Sequence, residues 1–211
     1  MHSHNPNLRL ETFCDAVIAI AITLLILEIK VPHIESIGHG GLLHALAHHW
    51  PSWVAFVLSF GSILVAWWNH HNTFNHLNKT AALFQYANGF FLLTIVVIPF
   101  PTALMAEYIN TEHANVAVLA YCVVSLVHNI SWLALFQSIQ KKNLAKNDAS
   151  RKKIVEGKQY TTYGFFVYLL ICVIAYWFPI TALVLINVTW IMWVVVGIMF
   201  SDKEAVEAVA A

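Results

Sequence analysis

The stretch RLETFCDAVIAIAITLLILEIKV, residues 9–31, is apolar and long enough to cross a bilayer, yet it carries Arg9, Phe13, Cys14 and Asp15 at its entrance and Glu28 near its exit. Between Asp15 and Glu28, twelve residues carry no charge. At about 1.5 Å rise per helical residue the two carboxylates stand roughly 20 Å apart, inside or at the edges of a hydrocarbon core about 30 Å thick. Intramembrane acids face a bundle interior or a water-filled path, because lipid does not solvate them. The segment therefore reads as a helix that belongs to whatever crosses the membrane here.

The rest of the 211-residue chain supports a membrane class, with 59% apolar and only 10% charged residues. A soluble domain carries about 25% charge. The formal net charge is zero, which argues against a nucleic-acid partner, since phosphate binding needs a basic surface. Cys14, Cys122 and Cys172 all fall in apolar segments without CxxC spacing and read as small core residues rather than a disulfide framework or metal site. The N-terminus MHSHNPNLRLE has neither the basic region nor the cleavage site of a signal peptide, so the first helix is expected to be retained.

Six apolar segments reach the ~20 residues that a bilayer demands, over 9–31, 51–73, 80–108, 114–138, 159–178 and 180–200. They use nearly the whole chain, and residues 1–211 read as a single all-α, six-helix transmembrane domain. Pro51 fits the start of the second span, where its missing N–H costs nothing. Pro99 and Pro101 should kink or break the third. Pro179 leaves almost no linker before the sixth, predicting a tight antiparallel hairpin. Seven of the eleven basic residues, Lys141, Lys142, Lys146, Arg151, Lys152, Lys153 and Lys158, crowd the connection between spans four and five. By the positive-inside rule that loop is cytoplasmic, as are both termini and the connection near Lys79, in a multi-pass protein of the cell (inner) membrane. The loops at 32–50 and 109–113 then face out, and neither contains Lys or Arg.

Taking 100° per residue from Asp15, Ile20, Leu24 and Leu27 fall near about 140°, 180° and 120°, with Thr23 near about 80°. Such a stripe, on the far side from Asp15, suits lipid contact, helix packing or a symmetric axis, and periodicity does not choose among them. From Arg9 to Asp15 the helix advances about 240°, leaving the two about 120° apart, so they do not pair within one helix. Polar residues elsewhere must satisfy the acid. The second span closes on AWWNHHNTF, with Trp67, Trp68, Asn69, His70 and His71, and the third opens on YANGFF with Asn88. Indole N–H, imidazole and carboxamide groups suit that task at low dielectric. Among the twelve histidines, His44 and His48 have i, i+4 spacing suited to zinc, but with no third ligand they read as solvated, as do His2 and His4 in the tail, and His128 reads as a satisfied bundle histidine.

R-x-x-x-F-C-D at Arg9, Phe13, Cys14 and Asp15 resembles the R-x-x-x-F-S-D signature of the lysosomal potassium channel family and its small prokaryotic relatives. The resemblance runs through W-x-x-H at Trp67 and His70, Asn88, and PFPTAL from Pro99. It implies a homotetramer of six-helix subunits whose first helices line a central pore, with no pore loop and no cofactor beyond permeant potassium ions. It further implies that Ile20 constricts the pore, that Leu24 and Leu27 form the next hydrophobic layers, and that Thr23 supplies a hydroxyl layer bearing on potassium preference. Arg9, Phe13, Cys14, Asp15, Trp67, His70 and Asn88 match the motif and hydrogen-bonded network that hold the pore helices, with Cys14 in place of the motif serine. Glu28 is a weaker candidate for the outer mouth, opposed by Lys30.

With no TVGYG filter in the sequence, selectivity over sodium should be modest and conduction controlled by a hydrophobic ring that gates by dewetting. A haem-binding oxidoreductase using His70, His71 and His128 and a secondary transporter are the alternatives. The sequence has no G-x-S-x-G, H-E-x-x-H or Walker motif, so an enzyme is not expected.

Overall fold

The computed structural model describes residues 6–32 and 41–210, the last twelve of these by backbone alone. Among the described residues the chain is a helical bundle without a β-sheet, and six helices are long and apolar enough to cross a membrane. The elements are α1 (Leu8–Leu24, followed by a 3-10 turn Leu25–Glu28), α2 (Gly41–His48), α3 (Trp50–Asn75), α4 (Ala82–Val97), α5 (Pro99–Tyr108), α6 (Ala114–Lys142), α7 (Asp148–Trp177) and α8 (Pro179–Ala210). His2 and His4 lie outside the described residues.

The first, fifth and sixth spans differ from expectation, each for a local reason, and the third breaks where its prolines predict. The first span is not α-helical to residue 31, because the helix tightens into 3-10 winding after Leu24 and turns extended at Ile29. The third span is two helices. Pro99 has no N–H to offer Ile95, whose carbonyl instead accepts from the Ile98 amide at 3.2 Å, and the chain restarts with Pro99 and Pro101 in the first turn of α5. The fifth span, α7, begins at Asp148 rather than 159, capped by the Asn147 side chain accepting from the Ser150 amide at 2.8 Å. Its first turns are polar, and hydropathy registers only the part able to sit in lipid. The sixth likewise continues past 200, to Ala210. Pro51 starts α3 and Pro179 starts α8, as the sequence predicts.

Helix α6 is the central element, packed against α4, α5, α7 and α8. By contrast α1 is peripheral, packing on α3 and α4 and, through its 3-10 turn, on α3 and α5. One end of the bundle gathers three segments. Leu77 and Ala145 form an antiparallel bridge, the Asn78 amide donates to Leu144 O at 3.2 Å, and the Lys146 amide donates to His76 O at 2.9 Å. The buried Asn7 side chain, just before α1, donates to Lys79 O at 3.3 Å. The entrance of α1, the connection near Lys79 and the basic loop therefore share one side, in agreement with the even number of spans that separates them.

Candidate functional site

The first helix has two unlike faces. Cys14, Ile18, Ala21 and Leu25 are at most 1% exposed and pack into one core with Ile63, Ala66, Phe91, Leu92 and Ile95. Their azimuths cluster at about 240° to 300° from Asp15. Ile20 and Leu27 are 60% and 70% exposed, and Leu24 and Thr23 are exposed as well. The buried face is therefore not centred on Asp15, as expected from the sequence. Asp15 sits at the seam, half-buried.

The 3-10 turn refines the exposed face. Residues three apart eclipse in 3-10 winding, so Leu27 moves from its α-helical azimuth to stand over Leu24. With about 1.5 Å rise per α residue and about 2 Å per 3-10 residue, Ile20, Leu24 and Leu27 form three layers each ~6 Å apart. Thr23 Oγ1 donates to Ile20 O at 2.8 Å. This spends its proton on its own helix and leaves the oxygen lone pairs to the exposed side.

The buried face is bolted down by polar contacts. Trp67 Nε1–H donates to Asp15 Oδ1 at 2.9 Å. Asn88 Nδ2 donates to Cys14 Sγ at 2.8 Å, and Asn88 Oδ1 lies 2.8 Å from His70 Nε2. Because that oxygen can only accept, His70 carries its proton on Nε2. The carboxamide thus links α1, α3 and α4 from one buried point. The 2.8 Å separation to Sγ falls in the range of an N–H···O bond, so the site retains the size of the hydroxyl that the motif usually places there.

Of the seven expected network residues, five meet in this way. Arg9 and Phe13 do not join them. Both are exposed, and at about 120° and 160° from Asp15 they stand on the stripe of Ile20 and Leu24. Asp15 consequently pairs with Trp67, not with Arg9 or His70. One contact was missed: His71 Nδ1 lies 3.0 Å from Glu11 Oε1, with the His71 ring stacked on Trp67 at 6.1 Å. Its signal was in the spacing, since Glu11 precedes Asp15 by four and His71 follows Trp67 by four, so antiparallel helices bring both pairs together.

At the other end Lys30 meets Glu107 at 3.4 Å, both exposed, which draws the lysine away from the half-buried Glu28. His44 and His48 stand exposed on α2, and no cluster of three metal-ligating side chains occurs among the described residues. His128 accepts from Trp132 Nε1–H at 3.1 Å through Nε2 and meets Thr94 Oγ1 at 2.8 Å through Nδ1. Both of its ring nitrogens are used. Phe91 lies 4.7 Å from the His70 ring and 5.2 Å from that of His128, while His71 is on Glu11. These three imidazoles therefore do not form an axial pair for haem.

The family model described as endosomal/lysosomal potassium channel TMEM175 matches residues 9–99. Over 128 residues the chain is 46% identical to a protein of Chamaesiphon minutus named a potassium channel, covering 59% of this chain and 63% of that one. Over 133 residues it is 41% identical to a Streptomyces collinus protein named a potassium channel, covering 63% and 64%. The chain thus spans slightly less than two thirds of the length of these curated relatives. The crystal structure of a lysosomal potassium-selective channel TMEM175 homologue from Chamaesiphon minutus superposes with a TM-score of 0.81 at 34% identity, over 90% of this chain and 96% of that one.

Proposed function

We propose, from the premise that this chain belongs to the TMEM175 family of ion channels, that it forms a passive potassium channel in the cell (inner) membrane. Four copies assemble around the exposed face of α1, each a single six-helix domain with both termini and the basic loop in the cytoplasm. The observation that carries this reading is the pair of faces on α1: a peripheral helix fixed to its own subunit by polar contacts along one side, with three aliphatic layers left uncovered along the other. The names of the relatives supply the permeant ion.

In that assembly Ile20, Leu24 and Leu27 form successive apolar rings around the axis. A narrow apolar ring resists wetting, and an ion crosses it by shedding or deforming its hydration shell. Potassium does this at lower cost than sodium, which gives modest selectivity without a carbonyl filter. The outward lone pairs of Thr23, one helical step from Ile20, offset part of the lost hydration. Glu28 attracts cations to the outer mouth, helped by the diversion of Lys30 to Glu107. Cys14, Asp15, Trp67, His70 and Asn88 hold α1 in register, and Arg9 and Phe13 extend the exposed stripe to the cytoplasmic entrance.

Flux from liposomes under matched potassium and sodium gradients tests this reading. Ile20→Asn should hydrate the ring, raising flux several-fold and lowering discrimination against sodium. Thr23→Ala should weaken potassium preference with little change in total flux. Unaltered flux and selectivity in the Ile20→Asn protein would remove α1 from the pathway. Flux that required a counter-transported ion would favour a transporter, and native mass spectrometry showing a monomer or dimer would remove the four-fold axis.

A further inference from the structure

The cytoplasmic extension of α7, from Asp148 to the start of its lipid-compatible part near residue 159, is about eleven residues or roughly 16 Å of helix. The buried side of α7 is marked by Ile154, Thr161, Gly164, Tyr168 and Ala175, which fall at about 220° to 300° from Arg151 at 100° per residue. Opposite them, at about 60° to 120°, Phe166, Leu170 and Tyr163 are 62%, 59% and 68% exposed. A side of that composition meets lipid. Toward the cytoplasm it continues through Gln159 and Lys152, at about 80° and 100°, with Arg151 at its edge, and all three are exposed. Helix α7 packs on α6 and α8, and α1 on α3 and α4, so this side is separate from the uncovered face of α1.

The fold gives the seven basic residues of this connection different surroundings. Lys153 is half-buried, at about 200°, and Lys158 Nζ donates to Gln140 Oε1 at 3.3 Å. Lys141 and Lys142, exposed at the end of α6, stand about 100° and 200° from Gln140, the residue that faces α7. Arg151 and Lys152 are left on the lipid side, and among the described residues neither enters an ion pair. The acids of the stretch are Asp148, a turn farther from the bilayer, and the half-buried Glu156. Topology alone requires positive charge near the ends of spans, not on a chosen side of a helix. Depth also suits contact with lipid. Lys152 lies about 10 Å below residue 159, where a headgroup layer of about 5–7 Å and a Debye length of about 8 Å bring it within reach of phosphate.

We propose that Arg151 and Lys152 form a docking site for the headgroups of anionic phospholipids, whose acyl chains lie along Tyr163, Phe166 and Leu170. Clusters of about 4–8 basic residues beside a span attract such lipids, and a guanidinium fork takes phosphate oxygens in pairs. The choice of the cytoplasmic leaflet follows from the topology proposed above. The binding itself is measured without ion flux and stands apart from the channel reading.

Native mass spectrometry of the detergent-solubilised full chain, with phosphatidylglycerol or phosphatidylcholine of the same acyl chains added, tests it. The wild type should retain phosphatidylglycerol roughly tenfold better, and raising the ammonium acetate concentration should shrink that preference. Arg151→Gln combined with Lys152→Gln should remove most of it. Lys141→Gln combined with Lys142→Gln, which takes the same charge from the end of α6, should leave it in place. Equal retention of the two lipids, or equal loss in both double variants, would overturn the proposal and leave the basic loop to topology alone. Displacement of phosphatidylglycerol by inorganic phosphate would overturn it too, by assigning the site to the free anion. Because the comparison of lipids uses the wild-type protein, that result stands even if a variant fails to fold.

Discussion

Two isoleucines two residues apart show what the two faces of α1 are for. Ile18 is 1% exposed in the core shared with α3 and α4, whereas Ile20 is 60% exposed on the opposite side. They are the same residue type in the same helix, and only the neighbouring helices tell them apart. A helix that merely completed the subunit would leave polar groups outside. Here the buried face is itself apolar, fastened by Cys14 and the half-buried Asp15, and Ile20, Leu24 and Leu27 stand outward where a helix facing water would carry polar groups. That arrangement fits an apolar surround, whether lipid or the same face of other copies.

The largest effect should come from breaking the buried face. Ile18→Ala should destabilise the protein by about 2–5 kcal/mol through lost burial and the cavity left behind, whereas Ile20→Ala should change subunit stability by less than about 0.5 kcal/mol. Thermal unfolding in detergent checks both, and equal costs would erase the distinction between the faces. Next in size, Asn88→Ala removes both bonds of the buried bridge at once. At up to ~1.7 kcal/mol for an interhelical hydrogen bond in a membrane protein, the loss should be about 1–3 kcal/mol. An Asn88→Ala protein with unchanged melting temperature would show that packing alone holds α1.

Asp15→Ala should cost less, about 1–2 kcal/mol, because it strands only the Trp67 indole N–H and leaves His70 on Asn88. Trp67→Phe in the same background should then add little, since partners in one bond are not additive. A full additional loss in the double variant would mean that Asp15 and Trp67 act separately. The smallest effect has the opposite sign. Cys14→Ser should stabilise by up to about 1 kcal/mol, because the 2.8 Å contact with Asn88 already suits an oxygen acceptor, which is stronger than a thiol. A lower melting temperature for Cys14→Ser would show that the pocket has been rebuilt around sulfur.

Much of this was legible from residue order. Hydropathy located all six spans, and proline placement marked the starts of α3, α5 and α8. The family resemblance named five residues that meet in two contacts, Asp15 with Trp67 and Cys14 with Asn88 and His70. The misses have two physical origins. The extra turns of α7 are helical but polar, so a hydropathy reading, which measures fitness for lipid rather than helix formation, stops short of them. Arg9 and Phe13 belong to the motif in sequence, yet the 100° advance per residue carries them to the other face.

Composition and periodicity by themselves determined that this chain is a membrane protein of six spans, and that its first helix carries a polar set and an aliphatic stripe. These properties depend only on the residues and on helical geometry. Which side of that helix is buried was decided by α3 and α4, because only their contacts distinguish Ile18 from Ile20. The partner of Asp15 and the pairing of Glu11 with His71 are likewise tertiary. Each requires side chains from separate helices to converge within a few ångströms, and no local pattern along one helix encodes that meeting.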